Sequence, residues 1–153
     1  LENVGETYRE DDLHYLFEVK AHKFNFRILN DDTEYLEDAS IELKIEKEGL
    51  YIADKIYSKP ENSNSIISLK YELNPPSWES MNYPEVMENE TEYLILENLG
   101  DLKHQISENA LKVDLRIAIN PKLNNIEKIV KIKIFGKNLS KPIEDQLIIK
   151  VIE

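Results

Sequence analysis

Apolar and polar residues alternate with a period of two along most of the chain, the mark of strands with one packed and one wet face. Tyr15, Phe17, Val19 and Ala21 alternate with Leu16, Glu18, Lys20 and His22. The phase then flips: Phe24, Phe26 and Ile28 are apolar, with Asn25 and Arg27 between them. A one-residue slip turns side chains to the opposite face unless a bulge absorbs it, so a bulge or strand break is expected near His22–Lys23. Ile41, Leu43 and Ile45 alternate with Glu42, Lys44 and Glu46 up to a turn at Gly49. "LYIADKIYS" reads as the next strand, and Ile67, Leu69, Tyr71 and Leu73 mark another, stopped by Pro75 and Pro76 because proline cannot donate to a ladder.

The C-terminal half repeats the pattern. Leu111, Val113, Leu115, Ile117 and Ile119 alternate with Lys112, Asp114, Arg116 and Ala118, and Val130, Ile132 and Ile134 alternate with Lys131 and Lys133. A last strand turns Leu147, Ile149 and Val151 inward. Between them, Tyr93, Leu96, Leu99, Leu102 and Ile106 fall at steps of three or four, so the span 88–108 is expected to hold either a strand or one short helix. About seven or eight strands without interleaved helices predict an antiparallel all-β sandwich. It would form a single domain over residues 13–153, with residues 1–12 as a flexible tail. "RILNDDTEYLEDASIELKI" has the order of strand, acidic connection, small residue and alternating strand common in Ig-like modules; it is a layout and not a family signature.

Charge narrows the function classes. Thirty acidic against nineteen basic residues in 153 give a net charge of −11, which opposes binding to nucleic acid or to an anionic membrane. The Lys-lined strand at Lys131 and Lys133 does not reverse this, because Glu42, Lys44 and Glu46, and Lys112, Asp114 and Arg116, show the same mixed-charge outer row. Cross-strand ion pairs on a wet sheet face account for it. No apolar run approaches the roughly 18 residues that a bilayer-spanning helix needs. The chain has no cysteine, which removes disulfides, thiolate zinc sites and thiol catalysis. Heavy use of Ile, Lys, Asn and Glu resembles the composition of a low-GC bacterium, and the start at Leu1 rather than Met is read as removal of a leader or a tag. The first alternative implies export, with a lipid anchor upstream of the given chain.

Among candidate sites, the acidic connection Asp31, Asp32, Glu34, Glu37 and Asp38 offers oxygen ligands of the kind calcium takes, although it lacks the glycine and closing glutamate of an EF-hand loop. Its alternative role is a solvated turn, since Asp and Asn favour turns through their own backbone bonds. His14, His22 and His104 are too dispersed for a zinc site. The Gly-x-Ser-x-Gly, HExxH and phosphate-loop motifs are all missing, and four glycines are few for phosphate-cradling loops, so the chain is expected not to be an enzyme.

The recognition candidate is the segment "PPSWESMNYPEVM". Trp78, Met81, Tyr83 and Met87 are large residues in a loop-like setting, and Trp and Tyr are the favoured anchors of binding hot spots. The competing role is a cap over the open end of the sandwich with Trp78 in the core. The expected function is a non-enzymatic binding or accessory module, exported or surface-anchored, that recognises a protein partner through loops or through a sheet edge such as "QLIIKVIE". The alternatives are an acidic cytoplasmic phage or plasmid protein that inhibits a host factor, and a carbohydrate- or lipid-binding β-domain.

Overall fold

A computed structural model describes residues 12–59, 76–122 and 127–152. The strand expected around Ile67–Leu73 and nearly all of the expected tail lie outside the described residues. The described chain is an antiparallel, sandwich-like all-β fold of ten strands. They are β1 (His22–Phe24), β2 (Arg27–Leu29), β3 (Leu36–Glu46), β4 (Leu50–Ile52), β5 (Glu85–Glu88), β6 (Glu92–Leu102), β7 (Ser107–Asn109), β8 (Leu115–Ile119), β9 (Glu127–Phe135) and β10 (Ile143–Lys150). One short helix, α1 (Trp78–Asn82), precedes β5. The larger sheet has the order β10-β9-β3-β6-β5, a second sheet β1-β8-β4, and β2 pairs with β7. The strand number exceeds the expected seven or eight because β1, β2, β4 and β7 are three-residue pieces too short to show periodicity. "LYIADKIYS" accordingly contributes only Leu50–Ile52.

The core lies between the five-stranded and three-stranded sheets. Ile41, Leu43 and Ile45 of β3, Tyr93 and Ile95 of β6, and Val130 and Ile132 of β9 face Leu50 and Ile52 of β4 and Leu115 and Ile117 of β8. β3 occupies the middle of the large sheet, so its inward alternation is the cleanest in the chain. Burial of each such aliphatic side chain stabilises by about 1.5–3 kcal/mol relative to exposure.

One open alternative is decided and two expectations are corrected. The span 88–108 holds no helix among its described residues; β6 runs through it with Tyr93, Ile95 and Glu97 inward and Leu94 and Leu96 on the half-covered outer face. Apolar residues on both faces produced the false helical spacing. The strand expected from Tyr15 to Ala21 is instead a helical segment that widens into a π-helical turn at Tyr15–Lys20. Its packed residues, Leu13, Leu16, Phe17 and Ala21, follow a helix stripe, whereas Tyr15 and Val19 are exposed. Finally, Arg116 does not point to water: it is 2 % exposed, because the outer face of β8 is itself covered.

The phase flip after His22 marks the end of the helical segment at Ala21, and the break expected near His22–Lys23 comes instead after Phe24, since both residues lie within β1. The chain leaves β1 at Phe24, crosses Asn25–Phe26, and enters β2, which pairs with β7. Asn25 fixes this crossing with four hydrogen bonds. Its Nδ2 donates to the Leu111 carbonyl (2.9 Å) and to Asp114 Oδ1 (2.8 Å), and its Oδ1 accepts from the amides of Phe26 (2.9 Å) and Leu111 (3.0 Å). A second irregularity lies in the β3–β6 ladder, where the register shifts around Ala39, opposite Gly100. Gly100 has φ +66° there, a conformation that glycine adopts without a Cβ clash.

Candidate recognition surface

The segment after Pro76 is shaped by a short capped helix. The Ser77 Oγ accepts the Ser80 amide at 3.1 Å, a side-chain N-cap, and the Met81 amide donates to the Ser77 carbonyl at 3.1 Å. Asn82 Nδ2 donates to the Trp78 carbonyl at 2.8 Å and closes the turn. Trp78 and Met81 are three apart and share one side of α1. Both face solvent, Trp78 at 62 % and Met81 at 71 % exposure.

Tyr83 goes the other way. It packs with Phe17, Ala53 and Ala118 over the outer face of β8. Its hydroxyl donates to the Ala53 carbonyl at 2.8 Å and accepts the Arg116 amide at 3.1 Å. Burial, against the favourable influence of Arg116, pushes this hydroxyl's pKa up to about 12. The four residues singled out in the sequence therefore divide. Trp78, Met81 and Met87 are exposed, while Tyr83 is the anchor that holds the segment to the sandwich. The segment does fold back onto the domain, but through the tyrosine, whose hydroxyl satisfies two backbone groups that an indole could not serve in the same way.

The second tie is a buried guanidinium. Arg116 Nη2 meets Glu79 Oε2 of α1 at 3.0 Å and Glu18 Oε2 of the π-helical turn at 3.3 Å. Its Nε meets Glu18 Oε1 at 3.2 Å, and Nη1 donates to the Asp114 carbonyl at 2.6 Å. One arginine thus joins β8, the π-helical turn and α1. Phe17 stacks on Tyr57 with ring centroids 5.3 Å apart, and His14 Nδ1 contacts the Tyr57 carbonyl at 2.6 Å, which closes the same cap. Desolvation, with a hydrogen bond to Asp54, holds the Tyr57 hydroxyl at about 12. Arg116, Glu79 and Glu18 were missed as a group. The available signal was the tract "LRIAI", in which a lone Arg shares its face with Ala118 rather than with another polar residue.

Met87 is on the outer face of β5, opposite Leu94 of β6. The acidic residues Glu85, Glu88 and Glu90 are exposed around it. Glu88 pairs with Lys47 at 2.9 Å, and Lys47 also covers the Tyr93 ring at 5.3 Å.

The acidic connection forms turns. The Asp32 amide donates to Asn30 Oδ1 at 3.1 Å, the Thr33 amide to Asp32 Oδ1 at 2.7 Å, and Asn30 Nδ2 to the Glu34 carbonyl at 2.9 Å. Glu37 and Asp38 belong to β3, where their amides donate to Asn138 Oδ1 (3.0 Å) and Asp101 Oδ1 (2.8 Å). Asp31, Asp32, Glu34, Glu37 and Asp38 do not converge, and no three His, Asp or Glu among the described residues form a group that could hold a metal ion. His14, His22 and His104 lie on separate elements, His104 against the Tyr35 ring at 5.4 Å. No helix among the described residues is long and apolar enough to cross a membrane. Comparison of the chain with protein-family models, with curated proteins and with solved structures returns no match.

Proposed function

We propose that this domain is a non-enzymatic protein-recognition module that docks its partner on the knob formed by Trp78 and Met81, with Met87 on the adjoining strand. The observation that carries this reading is the exposure of Trp78 and Met81 on a helix held at its back by Tyr83 and Arg116. An exposed Trp and Met cost solubility unless something covers them, and Trp is the residue most favoured as a binding anchor. Anchoring α1 on two sides limits the ordering cost that a mobile loop would meet on binding. The exposed Glu85, Glu88 and Glu90, with a net charge of −11, suit a partner that offers an apolar cleft with a basic rim. The proposed setting is bacterial and extracytoplasmic; composition supports only the bacterial part.

The test is affinity capture from the source cells with the native chain and with a Trp78→Ala/Met81→Ala variant of equal melting temperature. A partner that binds the purified native chain directly and is lost with the double variant supports the reading. Equal recovery of every partner by both proteins overturns it.

A further inference from the structure

The two margins of the five-stranded sheet differ in how they are guarded. β5 is four residues long and carries Glu85 and Glu88, so it is a short, charged edge of the kind that resists further pairing. β10 is eight residues long and pairs with β9 through eight successive positions without a register shift. No described strand pairs with its other side. The only proline nearby, Pro142, precedes the strand, and Ile143 and Ile148 are 48 % and 52 % exposed. A long, unbroken edge with exposed isoleucines on both faces is a template for another strand.

Charge selects the occupant. Across the outer face, Glu42 of β3 is opposite Lys133 of β9, and Lys133 is opposite Glu144 of β10 at 3.6 Å. At the far end of the strand, Lys150 of β10 is opposite Glu127 of β9 at 3.4 Å. β10 therefore offers a carboxylate at one end of its outer row and an ammonium at the other, which is the condition for self-complementarity about a twofold axis.

We infer that β10 pairs antiparallel with β10 of a second copy of this chain, centred on Leu147, and joins two five-stranded sheets into one. In that register Glu144 of each copy is opposite Lys150 of the other, and Gln146 is opposite Ile148. Each outer row then reads Glu42, Lys133, Glu144, followed by Lys150 and Glu127 of the second copy, with the sign of charge alternating at every step across the seam. A slip of two residues in either direction replaces the Glu144–Lys150 contact with Glu144 against Ile148 or Ile152, so the charges specify the register as well as the partner. On the inner face, Leu147 meets its own counterpart, Asp145 is opposite Ile149, and Ile143 is opposite Val151, with Leu147 and Ile149 packed at the margin of the core. The like net charge of the two bodies opposes association, but it is screened beyond about 8 Å at physiological salt, whereas the row of opposite charges is in contact.

The experiment is sedimentation equilibrium of the full chain at about 150 mM salt, with Glu144→Lys, Lys150→Glu and the two combined. The native chain is expected to form a dimer. Each single reversal sets like charges against each other twice per dimer and should weaken it about tenfold. The combined reversal restores opposite charges across the seam and should return most of the affinity, although it disrupts the internal pairs with Lys133 and Glu127. That rescue separates the seam from any loss of fold, which melting curves of the four proteins record independently. A native chain that stays monomeric at about 100 μM, a dimer indifferent to the single reversals, or a combined variant no better than the single ones overturns the inference.

Discussion

Arg116 Nη2 lies 3.0 Å from Glu79 Oε2, and through this pair the buried centre of β8 holds the helix that displays Trp78. Arg116 is 2 % exposed at its side chain, Glu18 16 % and Glu79 56 %, so the three members of the cluster differ in how much they depend on one another. Removing the arginine leaves Glu18 partly buried without its cation and opens a space behind Tyr83. Arg116→Met is expected to destabilise the domain by about 2–4 kcal/mol. Glu79→Gln, at the exposed end, should cost less than about 1 kcal/mol. Urea denaturation of both variants checks the order; equal effects would mean that the exposed pair, and not the buried guanidinium, holds the cap.

The split between Tyr83 and Trp78 gives a second contrast. Tyr83→Phe removes the hydroxyl that serves the Ala53 carbonyl and the Arg116 amide, and is expected to cost about 1–2 kcal/mol. Trp78→Ala should change stability by no more than about 0.5 kcal/mol, because the indole covers little of the domain. Since the Tyr83 hydroxyl is raised from 10.0 to about 12, the stability tied to its neutral form is complete below pH 10 and is lost as pH rises through 12. Tyr83→Phe should therefore reduce the alkaline loss of stability, leaving the parts due to Tyr57 and Tyr93.

Asn25 carries the crossing between two sheets with a single amide group. Asn25→Ala strips all four hydrogen bonds and leaves the Leu111 amide and carbonyl without this partner. The expected cost is about 2–3 kcal/mol, read as a lower midpoint in thermal or urea melts. Asn25→Asp keeps the two acceptor contacts, sets a carboxylate against Asp114, and should also destabilise.

Glu97 is 9 % exposed on the core-facing row of β6. Burial raises its pKa above 4.5, opposed by hydrogen bonds from the Lys112 and Asn98 amides and by the Lys112 charge. A carboxyl raised in the folded state favours folding when protonated. Its contribution is therefore complete below the unfolded value near 4.5 and is lost as pH rises through the folded value. Glu97→Gln retains an acceptor for the Lys112 amide and removes the charge, so it should stabilise the domain at pH 7 and have little effect at pH 4. A variant less stable than the native chain at pH 7 would show that the carboxylate makes a net favourable contribution there.

The sandwich was legible where one face of a strand is dry and the other wet. β3 and β9 alternate cleanly because their outer rows, Glu42 and Lys44, and Lys131 and Lys133, meet water. Legibility failed where both faces are covered. The outer face of β8 is buried under the π-helical turn, so Arg116 looked like one more wet residue while it was the centre of the cap. In β6 the half-covered Leu96 and Leu99, in step with the inward Tyr93 and Leu102, mimicked a helix. The π-helical turn was hidden for the opposite reason: Tyr15 and Val19, exposed in the fold, completed an alternation with Phe17 and Ala21 that the packed Leu16 contradicts. The candidate recognition residues were located as a segment, but which of them turns outward depended on partners far away in the chain, at Ala53 and Arg116.

Trp78 is the only tryptophan, so its fluorescence reports on the proposed docking knob without interference. The free chain should show the red-shifted emission of a solvent-exposed indole and strong quenching by acrylamide. Addition of the purified partner recovered by the native chain should shift the emission to shorter wavelength and protect it from acrylamide, and Met81→Ala should weaken the titration. Binding that leaves both the emission and the quenching of Trp78 unchanged would contradict the account.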